Sequence, residues 1–205
     1  MSNARTKWLV TGSTGFLGRH VIGAIRARDP DAGIVAVVRD PAPAGTLDYM
    51  SGVEMVTGSP INPGGWQDDS RLEGVRGVYH LAAEVRHSRS ASGEMTRLNV
   101  DATKAMVRLA ADRGWRMVFV STSGTVGCSR DPAAAPDEDA PHAEEIVRRW
   151  PYYWSKVVAE REGRALASEL AGELVIMRPP VLLGPGDHRY RSVGNVMRVL
   201  RGRLP

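Results

Sequence analysis

Lys7-Trp8-Leu9-Val10-Thr11-Gly12-Ser13-Thr14-Gly15-Phe16-Leu17-Gly18 stands almost at the start of the chain. A short β-like run passes into three spaced glycines, and an apolar-periodic stretch follows. A strand, a glycine turn and a helix in that order make a phosphate cradle. Gly12 lets the turn tighten, Gly15 lets backbone approach a pyrophosphate, and Gly18 lets the helix pack on the strand. The helix that opens after Gly15 points its N–H groups and positive dipole end at the same place. In a chain with 22 glycines that spacing alone is a weak sign. A second stretch, Tyr152-Tyr153-Trp154-Ser155-Lys156, strengthens it. Tyr152 and Lys156 are four apart and so share one helix face. A dinucleotide cradle beside a Tyr/Lys pair suggests hydride chemistry.

The rest of the chain alternates between the two periods. Strand-like runs are expected at Lys7–Thr11, Ile34–Val38, Val53–Val56, Gly77–Ala82, Met117–Val120 and Leu174–Met177. Helices are expected at Phe16–Arg28, Met95–Asp112, Tyr152–Leu170 and Arg189–Arg201. Alternation of this kind predicts an α/β fold, a doubly wound parallel sheet of Rossmann type covered on both faces. The near-continuous apolar run Ile34–Val38 is what a doubly covered strand needs. Asp131–Pro141, rich in Pro, Ala and acid, reads as an exposed loop. Pattern leaves the strand order open. Ligands of such sheets bind beyond the carboxyl ends of the strands. The polar clusters follow strands: Thr11–Gly18, Arg39-Asp40, Ala82-Ala83, Ser121–Ser123 and Arg178–Val181.

Composition narrows the function classes. The 205 residues carry a net charge of +4, but the basic residues are scattered among acids. No basic stripe with interleaved aromatics argues for nucleic acid. No apolar run approaches the ~20 residues that span a bilayer, so no membrane role is expected. The glycine turn comes too early to follow a signal peptide, and a single cysteine, Cys128, fits a reducing compartment. A cytoplasmic protein is therefore expected. Cys128 has no recognisably spaced His and Asn or Asp partners and reads as a packing or loop residue. His80 and His142 show no metal-ligand spacing, and no metal site is expected. All but three of the 27 Lys and Arg residues are arginine, yet Lys occupies position 156. That position asks for a compact ammonium.

Taken in order, several stretches resemble the extended short-chain dehydrogenase/reductase family. They are Thr11–Gly18, His80-Leu81-Ala82-Ala83, Asn99-Val100 opening a helix, Ser121–Val126, Tyr152 to Lys156, and Arg178-Pro179-Pro180 with Gly184-Pro185-Gly186. Val38-Arg39-Asp40-Pro41 and the Ser-Gly-Thr-Val run look most like the dihydroflavonol-reductase-like and hydroxysteroid-dehydrogenase-like members. The resemblance covers nearly the whole chain. It implies an NAD(P)-binding Rossmann domain over residues 1–205. It implies Tyr152 as the acid/base, Lys156 as its partner and a ribose ligand, and Thr122 as the hydroxyl on the reacting oxygen, with Ser123 the alternative. Asn99 matches the residue that holds the site's backbone; an N-cap role is the competing reading. For the hydroxyl cluster, strand-end capping competes in the same way. The cofactor set implied is Gly12, Thr14, Gly15, Phe16, Leu17, Gly18, Arg39, Leu81, Ala82, Ala83, Asn99, Tyr152, Lys156, Pro179 and Val181.

The chemistry stands on its own terms. A phenol titrates near ~10 and is a poor base at neutral pH. An ammonium one helical turn away favours the phenolate. Strand two ends with both Arg39, suited to the 2′-phosphate of NADP, and Asp40, suited to the free ribose of NAD. NADP is expected, with NAD open. Gly58-Ser59-Pro60 stands where the family has Gly-Asp. Extended members continue beyond the Gly-Pro-Gly loop into a substrate lid, whereas this chain stops at Pro205. Either a partial chain or a compact variant with an open pocket would account for this; the partial chain is the expectation, one that binds cofactor yet turns over poorly. The leading reading is an oxidoreductase acting on a carbonyl or secondary alcohol. A nucleotide-sugar epimerase or dehydratase with tightly held NAD is the enzyme alternative, and a non-catalytic dinucleotide sensor the other. A small-molecule substrate is expected. The family often dimerises through the helices after strands four and five, which leaves a homodimer open.

Overall fold

The computed structural model describes residues 6–39, 50–85, 92–187 and 193–202. Six parallel strands form one sheet: β1 (Lys7–Thr11), β2 (Gly33–Val38), β3 (Glu54–Thr57), β4 (Val75–His80), β5 (Arg116–Val120) and β6 (Leu174–Met177). Their spatial order is β3-β2-β1-β4-β5-β6. The order reverses between β1 and β4, which is where an open parallel sheet splits to admit a ligand. All six strands point the same way, so every strand exit lies along one edge.

Apolar alternation builds two cores. Leu9, Val35, Val37, Val78, Met117 and Phe119 face α2 (Ser92–Asp112) and α4 (Pro151–Glu169). Val10, Ile34, Ala36 and Val38 face α1 (Phe16–Arg28) through Ile22 and Ile25. Central strands buried on both faces need apolar residues at every position, which is why β2 is so uniformly apolar. At the β6 edge of the sheet Val175 and Met177 are exposed.

Several boundaries differ from expectation. β4 begins at Val75 and ends at His80, not Ala82. It pairs with β1 from Lys7 opposite Val75 to Thr11 opposite His80, and the next residues leave the ladder to pass under Gly12. The helix expected from Met95 begins at Ser92. A short helix, α3 (Glu144–Val147), was not anticipated. The last helix, α5, is described over Val193–Leu200, so the start expected at Arg189 lies outside the described residues. The Asp131–Pro141 stretch has no helix or strand and is exposed through most of its length. Among the described residues no helix is long and apolar enough to cross a membrane.

Candidate active site

The glycine turn sits at the switch point and is made almost wholly of backbone. Gly12 has φ of +72°, and a Cβ there would stand 2.7 Å from Ala82 N. Only glycine admits both the left-handed backbone and that approach. Gly15 N donates to Gly12 O at 3.0 Å. A Cβ on Gly18 would meet Ser13 Cα at 2.6 Å and also Gly12 O. Filling these positions would therefore close the turn. Thr14 and Gly15 are exposed at its tip. α1 starts at Phe16 with Gly15 as cap and no acidic residue in its first turn. Its positive end is left open to an anion.

The β1 and β4 exits are tied together beneath this turn. The Thr11 hydroxyl and His80 Nδ1 lie 2.8 Å apart, and Ala82 N donates to Thr11 Oγ1 at 3.3 Å. Leu81 N donates to Thr11 O at 3.1 Å. His80 is buried against Phe119, its ring 5.8 Å from that ring. Burial, with the Lys156 charge adding to it, pushes His80 down to about 3. It is therefore neutral at physiological pH.

The second half of the site is carried by α4. Tyr152 lies in its first turn. Lys156 follows one turn later and is 2 % exposed. Its Nζ donates to Val120 O at 2.8 Å and stands 4.6 Å from the Phe119 ring centre. Burial pushes this ammonium down to about 8, with the Glu160 charge opposing. Lys156 is thus held against the exit of β5, immediately before the hydroxyl cluster.

The three hydroxyls have separate surroundings. Ser121 is buried, and its hydroxyl donates to Glu160. Thr122 is partly exposed at the strand exit, and its Oγ1 accepts from Gly124 N at 3.3 Å. It does cap the short turn Ser123–Thr125, yet its own proton remains available to donate. Ser123 opens that turn, and its N donates to Pro179 O at 3.0 Å. That bond brings the segment after β6 beside Thr122; Val181 lies exposed just beyond.

Asn99 is not an N-cap. It lies inside α2, two turns from its start, and is buried. Its Oδ1 accepts from Glu84 N at 2.7 Å. Its Nδ2 donates to Glu84 O at 3.0 Å and to Ser155 Oγ at 2.9 Å. Ser155 in turn donates to Tyr152 O at 2.7 Å. One amide therefore ties the chain after β4 to the helix turn that carries Tyr152.

Arg39 is the exposed residue that follows β2. It stands at the exit of the strand next to β1. Asp40 and Pro41 lie outside the described residues. At Gly58 a Cβ would collide with the Trp66 ring, and Ser59 O accepts from Trp66 Nε1 at 2.9 Å. The chain after β6 returns to α1: His20 Nε2 is 3.0 Å from Pro185 O, and Gly184 lies against Phe16. β6 stands three strands from β1, ~14 Å away. The Gly184–Gly186 loop therefore reaches back across the carboxyl edge to the glycine turn. Tyr153 packs on Gly124, and the Arg148 guanidinium sits 5.0 Å over Trp154. The Cys128 thiol donates to Gly124 O at 3.4 Å. Among the described residues no cluster of His, Cys, Asp and Glu is arranged to hold a metal ion.

Sequence reasoning missed one member outright. Glu160 is buried and meets Ser121, His142 and Arg178. Burial raises its pKa, but hydrogen bonds from Arg178, Ser121 and His142 together outweigh that and hold the carboxyl below its ordinary value. The available signal was its spacing: Tyr152, Lys156 and Glu160 recur every four residues along one face.

A six-stranded parallel sheet in this order, with a glycine turn at its switch point, defines a dinucleotide-binding domain of Rossmann type. The family model described as "NAD dependent epimerase/dehydratase family" matches residues 8–203. The chain belongs to that family, within the extended short-chain dehydrogenases/reductases. It is 28% identical over 192 residues to dihydroflavonol 4-reductase of Zea mays, covering 86% of this chain and 53% of that protein. It is 29% identical over 203 residues to a 3-diazoavenalumate denitrifying reductase of Streptomyces sp, covering 96% and 63%. Among solved structures, a dTDP-glucose 4,6-dehydratase of Streptomyces venezuelae with NAD and TYD bound matches with a TM-score of 0.76. The identity is 26%, over 96% of this chain and 63% of that one. The chain thus spans between half and two thirds of the length of these relatives.

Proposed function

We propose that this chain is the dinucleotide-binding and proton-transferring part of an NAD(P)-dependent oxidoreductase. Its substrate is a carbonyl or secondary alcohol and its preferred cofactor is NADP. The observation that carries the reading is the placement of Lys156. Its buried ammonium sits one turn from Tyr152, bonded to the β5 exit beside Thr122, on the same sheet edge as the glycine turn.

The cradle fits a pyrophosphate. Gly12 and Gly18 let the turn pack tightly on the β4 exit and on Ser13, Gly15 puts no side chain at its exposed tip, and the α1 N-terminus opens there. Thr14, Phe16 and Leu17 complete that turn; Leu81, Ala82 and Ala83 form the adjoining wall, and Pro179 and Val181 the far one. Asn99 shapes the Leu81–Ala83 wall through Glu84. Arg39 lies where the adenosine ribose phosphate is expected. Hydride donation or acceptance is the chemistry the nicotinamide supplies when bound. The remaining work falls to the protein. Tyr152 exchanges a proton with the substrate oxygen, Lys156 favours its phenolate, and Thr122 donates a hydrogen bond to the same oxygen. Asn99, through Ser155, keeps the Tyr152 turn in place.

NADPH oxidation against a panel of ketones and aldehydes tests the reading. Activity in the parent that Tyr152→Phe removes supports it; equal activity in both contradicts it. Arg39→Ala tests the cofactor preference: NADP affinity should fall by ~10-fold while NAD affinity holds. A second reading is a nucleotide-sugar epimerase or dehydratase, supported by the likeness to the dTDP-glucose 4,6-dehydratase. It predicts a substrate-derived spectral change with no net consumption of cofactor.

A further inference from the structure

The scheme above leaves one buried carboxylate unused. Lys156 and Glu160 stand one turn apart on α4, and both are buried. They take hold of successive residues at the β5 exit. Lys156 Nζ donates to Val120 O at 2.8 Å, and the Ser121 hydroxyl donates to Glu160 Oε1. Thr122 is the next residue. The second carboxylate oxygen accepts from Arg178 Nη2 at 2.6 Å and Nε at 3.0 Å, and His142 Nε2 lies at 2.9 Å from it. Arg178 Nη1 also donates to Glu138 O at 2.7 Å, so the exposed 131–141 stretch is tied to the same point.

The charges do not pair off one to one. The Arg178 guanidinium pairs directly with this carboxylate, and the buried Lys156 ammonium stands one turn away on the same helix face, bonded to Val120 O. A buried ammonium without a counter-charge is costly and gives up its proton. The titratable groups around Lys156 are Tyr152 and Glu160 on α4 and His80 from β4. Through Glu160 come Arg178 from the β6 exit and His142 from the segment before α3. α2 packs here with uncharged Asn99 and Thr103, which meet Ser155 and Gly163.

The geometry points to Glu160 as a positioning residue for the proton-transfer pair. Its carboxylate is the shared counter-charge that seats the Lys156 ammonium beneath Val120 and holds the β5 exit, and with it Thr122, against α4. This rests on the roles given above to Tyr152, Lys156 and Thr122. An Arg178–Glu160 pair that only braced the fold would leave the charge state of Lys156 indifferent to either partner.

The chain has only three lysines, Lys7, Lys104 and Lys156, so carbon-13 lysine labelling gives three signals to follow by NMR against pH. Lys7 and Lys104 are paired with Glu54 and Glu162 and serve as internal references. In the parent, burial pushes Lys156 down to about 8, which is the midpoint expected. Glu160→Gln should move that midpoint down, Glu160→Asp should hold it near the parent, and Arg178→Gln should move it up, because the carboxylate then serves Lys156 alone. Opposite movements in the Gln variants support the inference. Midpoints that stay put, or move the same way, overturn it. Where Glu160→Gln does not fold, Arg178→Gln decides alone: an upward move supports, and an unmoved or lower midpoint overturns. Full turnover by Tyr152→Phe would instead remove the proton-transfer reading, a failure this titration does not share.

Discussion

The two halves of the candidate site are built from opposite materials. The glycine turn is made of backbone and of missing side chains: at Gly12 and Gly18 a single Cβ would collide. The α4 half is made of side chains and buried charge: Lys156, Glu160 and Arg178, with His142 at the rim. A backbone cradle suits a ligand recognised by phosphate, which every dinucleotide carries. A buried charge cluster suits proton transfer, which needs a phenol with a displaced pKa. The difference teaches where each half is fragile. The first fails by steric intrusion, the second by loss of one charge.

The largest effect expected falls on the second half. Tyr152→Phe should lower turnover by ~10²–10⁴-fold while dinucleotide affinity stays within about threefold. Steady-state kinetics beside fluorescence titration of the cofactor checks it, and a parallel loss of both would blur the two halves. In the first half, Gly12→Ala should do the reverse. Its Cβ meets Ala82 at 2.7 Å with φ at +72°, so dinucleotide binding should be lost and stability should drop by ~2 kcal/mol. Retained affinity in that variant would show that the turn is not the cradle.

Acid and base should act on the two halves with separable signatures. His80, beneath the glycine turn, is pushed from 6.5 down to about 3. Between those values the unfolded chain binds a proton that the folded chain does not, so stability falls as pH drops from 6.5 towards 3. Melting curves should show that loss in the parent, and His80→Phe should flatten it. Lys156 is pushed from 10.5 to about 8. Between about 8 and 10.5 its contribution to stability rises with pH, because only the unfolded chain holds the proton there. Turnover should decline over the same range, as the ammonium that favours the phenolate is lost. Activity and stability that rise together above pH 8 would contradict the role given to Lys156.

The smallest effect calibrates the buried pair. Arg116 and Glu173 make an ion pair of 2.6 Å with both side chains 64% exposed. Its removal should cost no more than ~0.5 kcal/mol in chemical denaturation. Glu160→Ala, which strands the buried Arg178, should cost ~3–5 kcal/mol. Equal costs would mean that burial does not set the α4 half apart.

Legibility in the sequence divides along the same line. The turn was readable because its glycines are local and their spacing is their mechanism. The strands were readable where both faces are covered, as in β2, because burial on both sides leaves no polar position. The end of β4 was misplaced by two residues, because Ala82 looks strand-like and only the approach of Gly12 takes it out of the ladder. Asn99 was found by resemblance, but its N-cap alternative fell only when the helix start appeared at Ser92. Glu160 went unnoticed, and His142 was weighed only as a metal ligand. The role of Glu160 depends on Ser121, 39 residues away, and Arg178, 18 residues away, and no local pattern encodes a meeting at that distance. The strand order was unreadable for the same reason.

The central claim is that Tyr152 and the glycine turn face one crevice with a nicotinamide ring between them. A crystal structure of this chain with NADPH tests it most directly. The account predicts the pyrophosphate on the Gly12–Leu17 backbone and the nicotinamide beside Tyr152 and Lys156. A dinucleotide bound elsewhere, or one seated on the glycine turn with its nicotinamide directed away from α4, would contradict it.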